Sequence, residues 1–137
     1  MPKSLPPALR TRLLKAARRA AGEAYAPYSK FNVGSAVLAA SGKIYAGCNV
    51  ENASYGLCNC AERTAIFSAV AAGERAITAV AVFTPTPTPT LPCGACRQVI
   101  HEFGPDALVI AICATKAVIE VRMPSLLPAP FGPDDLS

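Results

Sequence analysis

The 137-residue chain has no tryptophan, one histidine, two methionines, 7% aromatic residues and 16% charged residues. Nowhere do about 18 apolar residues stand together, which excludes a membrane-spanning helix. The mildly basic N-terminus is not followed by the apolar run of an export signal, so a cytoplasmic, soluble protein is expected, with no membrane partner. Scarcity of stacking aromatics argues against a nucleic-acid partner, which would use them to hold bases.

The charge that is present does little to reverse that view. A formal charge of +4 invites a polyanion, yet Arg10, Arg12, Lys15, Arg18 and Arg19 supply five of the thirteen basic residues from one segment. Leu9, Leu13, Ala16, Ala20 and Ala24 mark the other side of that segment at helical spacing, so the bases read as the solvated face of an amphipathic helix. With 52% hydrophobic residues the chain can bury one substantial core, and residues 1–137 are expected to form a single domain with residues 1–7 as a tail. Six cysteines without an export signal are better read as reduced thiols than as a disulfide framework.

Along the chain, a first helix is expected over Ala8–Ala24, ended by Ala26-Pro27-Tyr28-Ser29. Phe31–Ala40 and Ile44–Val50 form a hairpin around Ser41-Gly42-Lys43. After a polar loop a second helix starts near Cys60 and stops at Gly73, and Ile77–Phe83 is a strand covered on both faces. Thr84–Pro92 repeats Thr-Pro three times and predicts a stiff, extended spacer. A third helix over Cys93–Phe103, strands at Leu108–Cys113 and Val118–Met123, and a short C-terminal piece complete the order. These elements imply an α/β fold: a mixed sheet of about five strands in a three-layer α/β/α sandwich.

Two segments carry chemistry: Cys60-Ala61-Glu62 and Pro92-Cys93-Gly94-Ala95-Cys96, each at an expected helix start. A Cys-x-x-Cys pair with a third thiolate from another helix gives zinc three protein ligands and leaves its fourth position open, as in catalytic sites. Three thiolates against Zn²⁺ call for positive compensation, which two helix N-termini supply, and Arg63 can donate to a ligand sulfur or form a surface ion pair instead. Glu62, two residues from a ligand, can reach a water at the metal without coordinating it and can move protons, although Glu in a first turn also suits the helix dipole. Taken alone the Cys93/Cys96 pair also fits a redox dithiol, and Cys58 stands as an alternative third ligand or as the fourth ligand of a closed structural site. Cys48 and Cys113 read as core, and His101 as an exposed side chain.

Cys60-Ala61-Glu62-Arg63-Thr64 with Pro92-Cys93-Gly94-Ala95-Cys96-Arg97-Gln98 resembles the cytidine deaminase signature. The likeness runs from Tyr25-Ala26-Pro27-Tyr28-Ser29-Lys30-Phe31 through Gly47–Asn52 to Phe131–Leu136. It implies a zinc-dependent hydrolysis of free cytidine and 2′-deoxycytidine to uridine and 2′-deoxyuridine plus ammonia, in pyrimidine salvage, with one zinc on Cys60, Cys93 and Cys96 and Glu62 as proton shuttle. It further implies nucleoside contacts from Phe31, Asn49, Glu51 and Ala61, the Asn and Glu meeting the ribose. The three-cysteine, short-chain form is similar to a homotetrameric branch in which Tyr55 and Phe131 enter a neighbour's site. Another aminopyrimidine, a nucleotide, an antibiotic or single-stranded nucleic acid remain alternative substrates. Departures from the pattern fall at Asn32, in the Thr-Pro run and at Thr115-Lys116-Ala117.

Overall fold

A computed structural model describes residues 5–136. Its elements are α1 (Pro7–Ala20, continued by a 3-10 turn Ala21–Glu23), β1 (Gly34–Ala39), β2 (Ile44–Cys48), α2 (Ala61–Ala71), β3 (Ile77–Phe83), α3 (Gly94–Phe103), β4 (Leu108–Ile112), β5 (Val118–Arg122) and a short α4 (Met123–Leu126). Most of the expected tail lies in residues 1–4, outside the described residues. Pro7 opens α1 at a position where a missing N–H costs nothing.

The five strands form one mixed sheet in the order β2-β1-β3-β4-β5. Strand β1 is antiparallel to both β2 and β3, β3 is parallel to β4, and β4 is antiparallel to β5. Alternation along the strands divides the core between the two faces. Ala36, Leu38, Ala79, Ala81, Leu108, Ile110 and Ile112 pack against Leu13 and Ala17 of α1. Val37, Val80 and Val109 pack on the other face against Ala65, Ile66 and Ala69 of α2, Ile100 of α3 and Met123 of α4. The fold is therefore the expected α/β/α sandwich, with α1 forming one layer and α2, α3 and α4 the other.

Because β2 and β3 are both antiparallel to β1, they run parallel to each other. Each is followed by a helix on the same face, so α2 and α3 begin at the same end of the sheet, beyond the strand C-termini, where open α/β sheets place their ligands. That topology sets Cys60 beside Cys93.

Two expectations change in detail. Strand β1 starts at Gly34, not Phe31, because the Phe31 and Val33 backbone groups bond to side chains: Phe31 N–H to Ser29 Oγ at 3.1 Å, Phe31 carbonyl to Asn49 Nδ2 at 2.7 Å, and Val33 N–H to Asn49 Oδ1 at 2.9 Å. The Thr-Pro run bends rather than spaces. Thr86 Oγ1 donates to the Thr88 carbonyl at 2.7 Å, Ala114 N–H donates to the Thr86 carbonyl at 2.9 Å, and Thr115 Oγ1 donates to the Pro87 carbonyl at 2.9 Å. Hydroxyl-to-backbone bonds, which proline spacing does not reveal, fold the segment onto the turn after β4.

Small residues let α1 and α2 approach the sheet closely. A Cβ on Gly34 would lie 2.0 Å from the Ala17 carbonyl oxygen, and one on Gly47 2.4 Å from the Ala65 nitrogen. Both clashes are with backbone, which cannot swing aside. Gly34→Ala is expected to lower unfolding free energy by about 3 kcal/mol, the upper range for overpacking. Gly56→Ala, where a Cβ meets nothing within 4 Å, should stay within about 1 kcal/mol of the parent. Urea titration of the two variants checks the contrast, and equal midpoints would contradict it.

Candidate active site

Cys60 caps α2 and Cys93 caps α3, both in extended backbone conformation with no side-chain capping bond. Their thiols are thus free for other partners and sit where helix dipoles favour negative charge. Cys96, one turn into α3, is fully buried. The three sulfurs lie within 4.8 Å of one another, and Cys60 and Cys93 are 3.8 Å apart. Two sulfurs bound tetrahedrally at ~2.3 Å from one zinc would stand ~3.8 Å apart. The donor set and its spacing therefore fit zinc.

Electrostatics point the same way. The Cys60 thiol is pulled down to about 5, first by a hydrogen bond from the Cys96 thiol and then by the Arg63 guanidinium and Cys93. Cys96, the donor of that bond, is pushed up. A metal that replaces the shared protons would hold all three sulfurs as thiolates. Arg63 Nη2 donates to Cys60 Sγ at 3.3 Å, while its Nε is buried with no hydrogen-bond partner. Of the two roles open to Arg63, the structure selects the one at the sulfur.

Glu62 is 5% exposed, and burial raises its carboxyl to about 7. It lines a cavity of ≈250 Å³ together with Cys60, Cys93 and Ala61, small for a ligand site and suited to one compact molecule. Phe31, Asn49 and Glu51 line the same cavity. An isolated bridge, with Val50 and Asn59 exchanging N–H bonds of 3.0 and 2.9 Å, closes the intervening loop and brings Asn49 and Glu51 next to Cys60. Glu51 differs from Glu62 in its environment. Its Oε1 accepts from the Tyr28 and Ser29 N–H groups at 3.0 and 3.1 Å, its Oε2 accepts from Ser29 Oγ, and these bonds lower its carboxyl.

Tyr55 and Phe131 are not part of this cavity. They are 72% and 59% exposed, Tyr55 in edge contact with Tyr28 and Phe131 held by a 2.8 Å bond from Gln98 Nε2 to its carbonyl. Cys58 is also elsewhere: its Sγ accepts from Asn52 N–H at 3.3 Å within its own loop. Among the described residues the three-cysteine group is the one that could hold a metal, so neither alternative for Cys58 is realised. Cys113 is buried as expected, whereas Cys48 is half-buried beside a groove between α1 and β2. His101 is also half-buried, close enough to the C-terminal segment that a Cβ on Gly132 would lie 2.8 Å from its Nε2. Sequence reasoning missed Ser29, Val33, Val82, Thr84, Thr90 and Leu91 as cavity residues. The one hint in the sequence was the break at Ala26-Pro27-Tyr28-Ser29, which turns the chain at 27–29 before Lys30 takes a left-handed φ of 61°.

Residues 8–112 match the cytidine and deoxycytidylate deaminase zinc-binding region. This chain belongs to that family. It is 48% identical to a cytidine deaminase of Sporosarcina psychrophila, covering 92% of this chain and 93% of the relative. It is 46% identical to one of Halalkalibacterium halodurans, covering 93% and 98%. The crystal structure of cytidine deaminase from Burkholderia pseudomallei superposes with a TM-score of 0.85 at 52% identity, over 88% of this chain and 98% of that one. Family membership and the donor geometry together make zinc the cofactor of this deaminase-family chain.

Arg63→Gln removes the donor to Cys60 and leaves thiolate charge less compensated. Zinc affinity in a chelator competition is expected to fall ~10- to 100-fold, the range for outer-shell partners of metal ligands. Arg75→Gln, an exposed control far along the chain, should leave affinity unchanged. Equal retention in the two variants would contradict a compensating role for Arg63.

Proposed function

We propose that the chain hydrolyses free cytidine and 2′-deoxycytidine to uridine and 2′-deoxyuridine, releasing ammonia. The observation that carries this reading is the buried Glu62 carboxyl, held to about 7, on the wall of the cavity that Cys60 and Cys93 of the three-thiol cluster also line. Cys60, Cys93 and Cys96 would hold the zinc, which when bound would supply the Lewis acidity that makes a water acidic near neutral pH. Glu62, titrating near neutrality, can take a proton from that water, pass it to N3 as oxygen adds to C4, and serve again as the amine leaves. Water contributes the new C4 oxygen and the amine departs as ammonia, so atoms balance with no further co-reactant.

Asn49 and Glu51 suit a sugar. Asn49 is fixed by its bonds to Phe31 and Val33 and retains one N–H and one lone pair for a ligand. An ionised Glu51 accepts hydroxyl protons and repels phosphates, which favours nucleosides over nucleotides. Phe31 and Ala61 offer apolar contact on the cavity wall. Single-stranded nucleic acid fits poorly, because the basic stripe of α1 lies on the opposite face of the sheet from α2 and α3. No described helix is long and apolar enough to cross a membrane.

We read residues 1–137 as one deaminase unit that assembles as a homotetramer. Tyr55, Leu57 and Phe131 are 72%, 70% and 59% exposed and outside their own chain's cavity, as suits residues that enter a neighbour's site. A cytoplasmic role in pyrimidine salvage accords with this chemistry.

The test follows ultraviolet absorbance of cytidine, 2′-deoxycytidine, 2′-deoxycytidine monophosphate and a cytosine-containing oligonucleotide. Conversion of the two nucleosides alone is expected. Glu62→Gln should keep its zinc and lose about 10²- to 10⁴-fold in turnover, the range for one acid-base step. Near-normal turnover in that variant would remove Glu62 from the mechanism.

A further inference from the structure

The side chain of Ser29 joins two walls of the cavity. Its hydroxyl has one proton, and the Glu51 carboxylate, an acceptor only, receives it at Oε2. A lone pair of the same oxygen accepts the Phe31 N–H at 3.1 Å, and the Ser29 N–H adds a bond of 3.1 Å to Glu51 Oε1. Ser29 thus holds Glu51 through both carboxylate oxygens and sets where Phe31 begins. It also lines the cavity itself.

This bracing leaves Glu51 little rotational freedom. With three donors from the 28–29 turn already in place, its remaining lone-pair capacity is left for a donor that enters the cavity it lines, and a carboxylate can greet only a donor. On a nucleoside wall the donors other than the base are sugar hydroxyls. Lowering of the Glu51 carboxyl, caused first by the Ser29 hydroxyl, keeps it an acceptor at neutral pH.

We propose that Ser29 is the positioning residue for sugar recognition: by fixing the Glu51 carboxylate against the Phe31 backbone, it sets how strongly the site rejects a nucleoside that lacks a sugar hydroxyl. This rests on the nucleoside reading given above. A site built around a hydroxyl rejects the analogue lacking it because its polar groups are left unpaired, but only if those groups cannot turn to find water. Ser29→Ala keeps the two backbone N–H bonds to Oε1 but removes the bond to Oε2, so the carboxylate can pivot about Oε1 and turn its free oxygen to water. The penalty for the missing hydroxyl then shrinks, and affinity for the complete nucleoside falls with it.

The experiment compares kcat and KM for cytidine and for its 2′-deoxy and 3′-deoxy analogues in the zinc-loaded wild type, Ser29→Ala and Ser29→Thr, with zinc content and circular dichroism measured on each. Ser29 is exposed on a turn, so the variants should fold. The wild type is expected to discriminate against at least one analogue by ~10²-fold or more in kcat/KM. Ser29→Ala should reduce that ratio ~10-fold or more, chiefly by raising KM for cytidine while zinc and kcat hold. Ser29→Thr, which keeps the hydroxyl, should restore it. An unchanged ratio in Ser29→Ala, or a loss in kcat with the ratio intact, overturns the proposal while leaving the nucleoside reading in place. A zinc-loaded wild type that converts none of the nucleosides overturns that reading and the proposal together.

Discussion

Everything at this site depends on two helices starting at the same end of one sheet. Strands β2 and β3 run parallel with β1 between them, and each feeds a helix on the same face, so the caps of α2 and α3 converge. Three sulfurs within 4.8 Å of one another would repel as thiolates without a cation. The helix dipoles and Arg63 reduce that repulsion, and zinc removes it. Gly34 and Gly47 belong to the same constraint, since they let α1 and α2 settle onto the strands closely enough for the convergence to occur.

The two acidic residues of the cavity show how environment assigns chemistry. Glu62 is buried, and that burial outweighs the hydrogen bonds it accepts, so its proton is held to about 7 and can be exchanged with a substrate at neutral pH. Glu51 accepts from two backbone N–H groups and a hydroxyl, so it stays ionised and can only accept. One carboxyl is a proton carrier and the other a fixed recognition group. Their difference comes from burial on one side and, on the other, from the Ser29 hydroxyl and the 28–29 backbone N–H groups that brace Glu51.

Much of this was legible in the sequence because it rests on local patterns. Cysteines at helix starts, the helical periodicity of α1 and the apolar run of β3 each depend on a few adjacent residues, and their order implied the sandwich. Elements whose backbone bonds to side chains were harder to read. Phe31-Asn32-Val33 looks like a strand, yet its partners are Ser29 and Asn49, and the Thr-Pro run looks like a rod, yet threonine hydroxyls fold it onto Thr115. Ser29 escaped notice for the same reason: one hydroxyl oxygen has no periodicity, and its partner Glu51 lies 22 residues away.

The central claim is that three thiolates, and not four, surround the zinc. X-ray absorption at the zinc edge of the purified protein tests it most directly. The account predicts three sulfur scatterers at ~2.3 Å and one oxygen or nitrogen at ~2.0 Å, the open position of a catalytic site. Four sulfur scatterers would show that Cys58 or another thiol closes the shell, and would contradict a hydrolytic role for this centre.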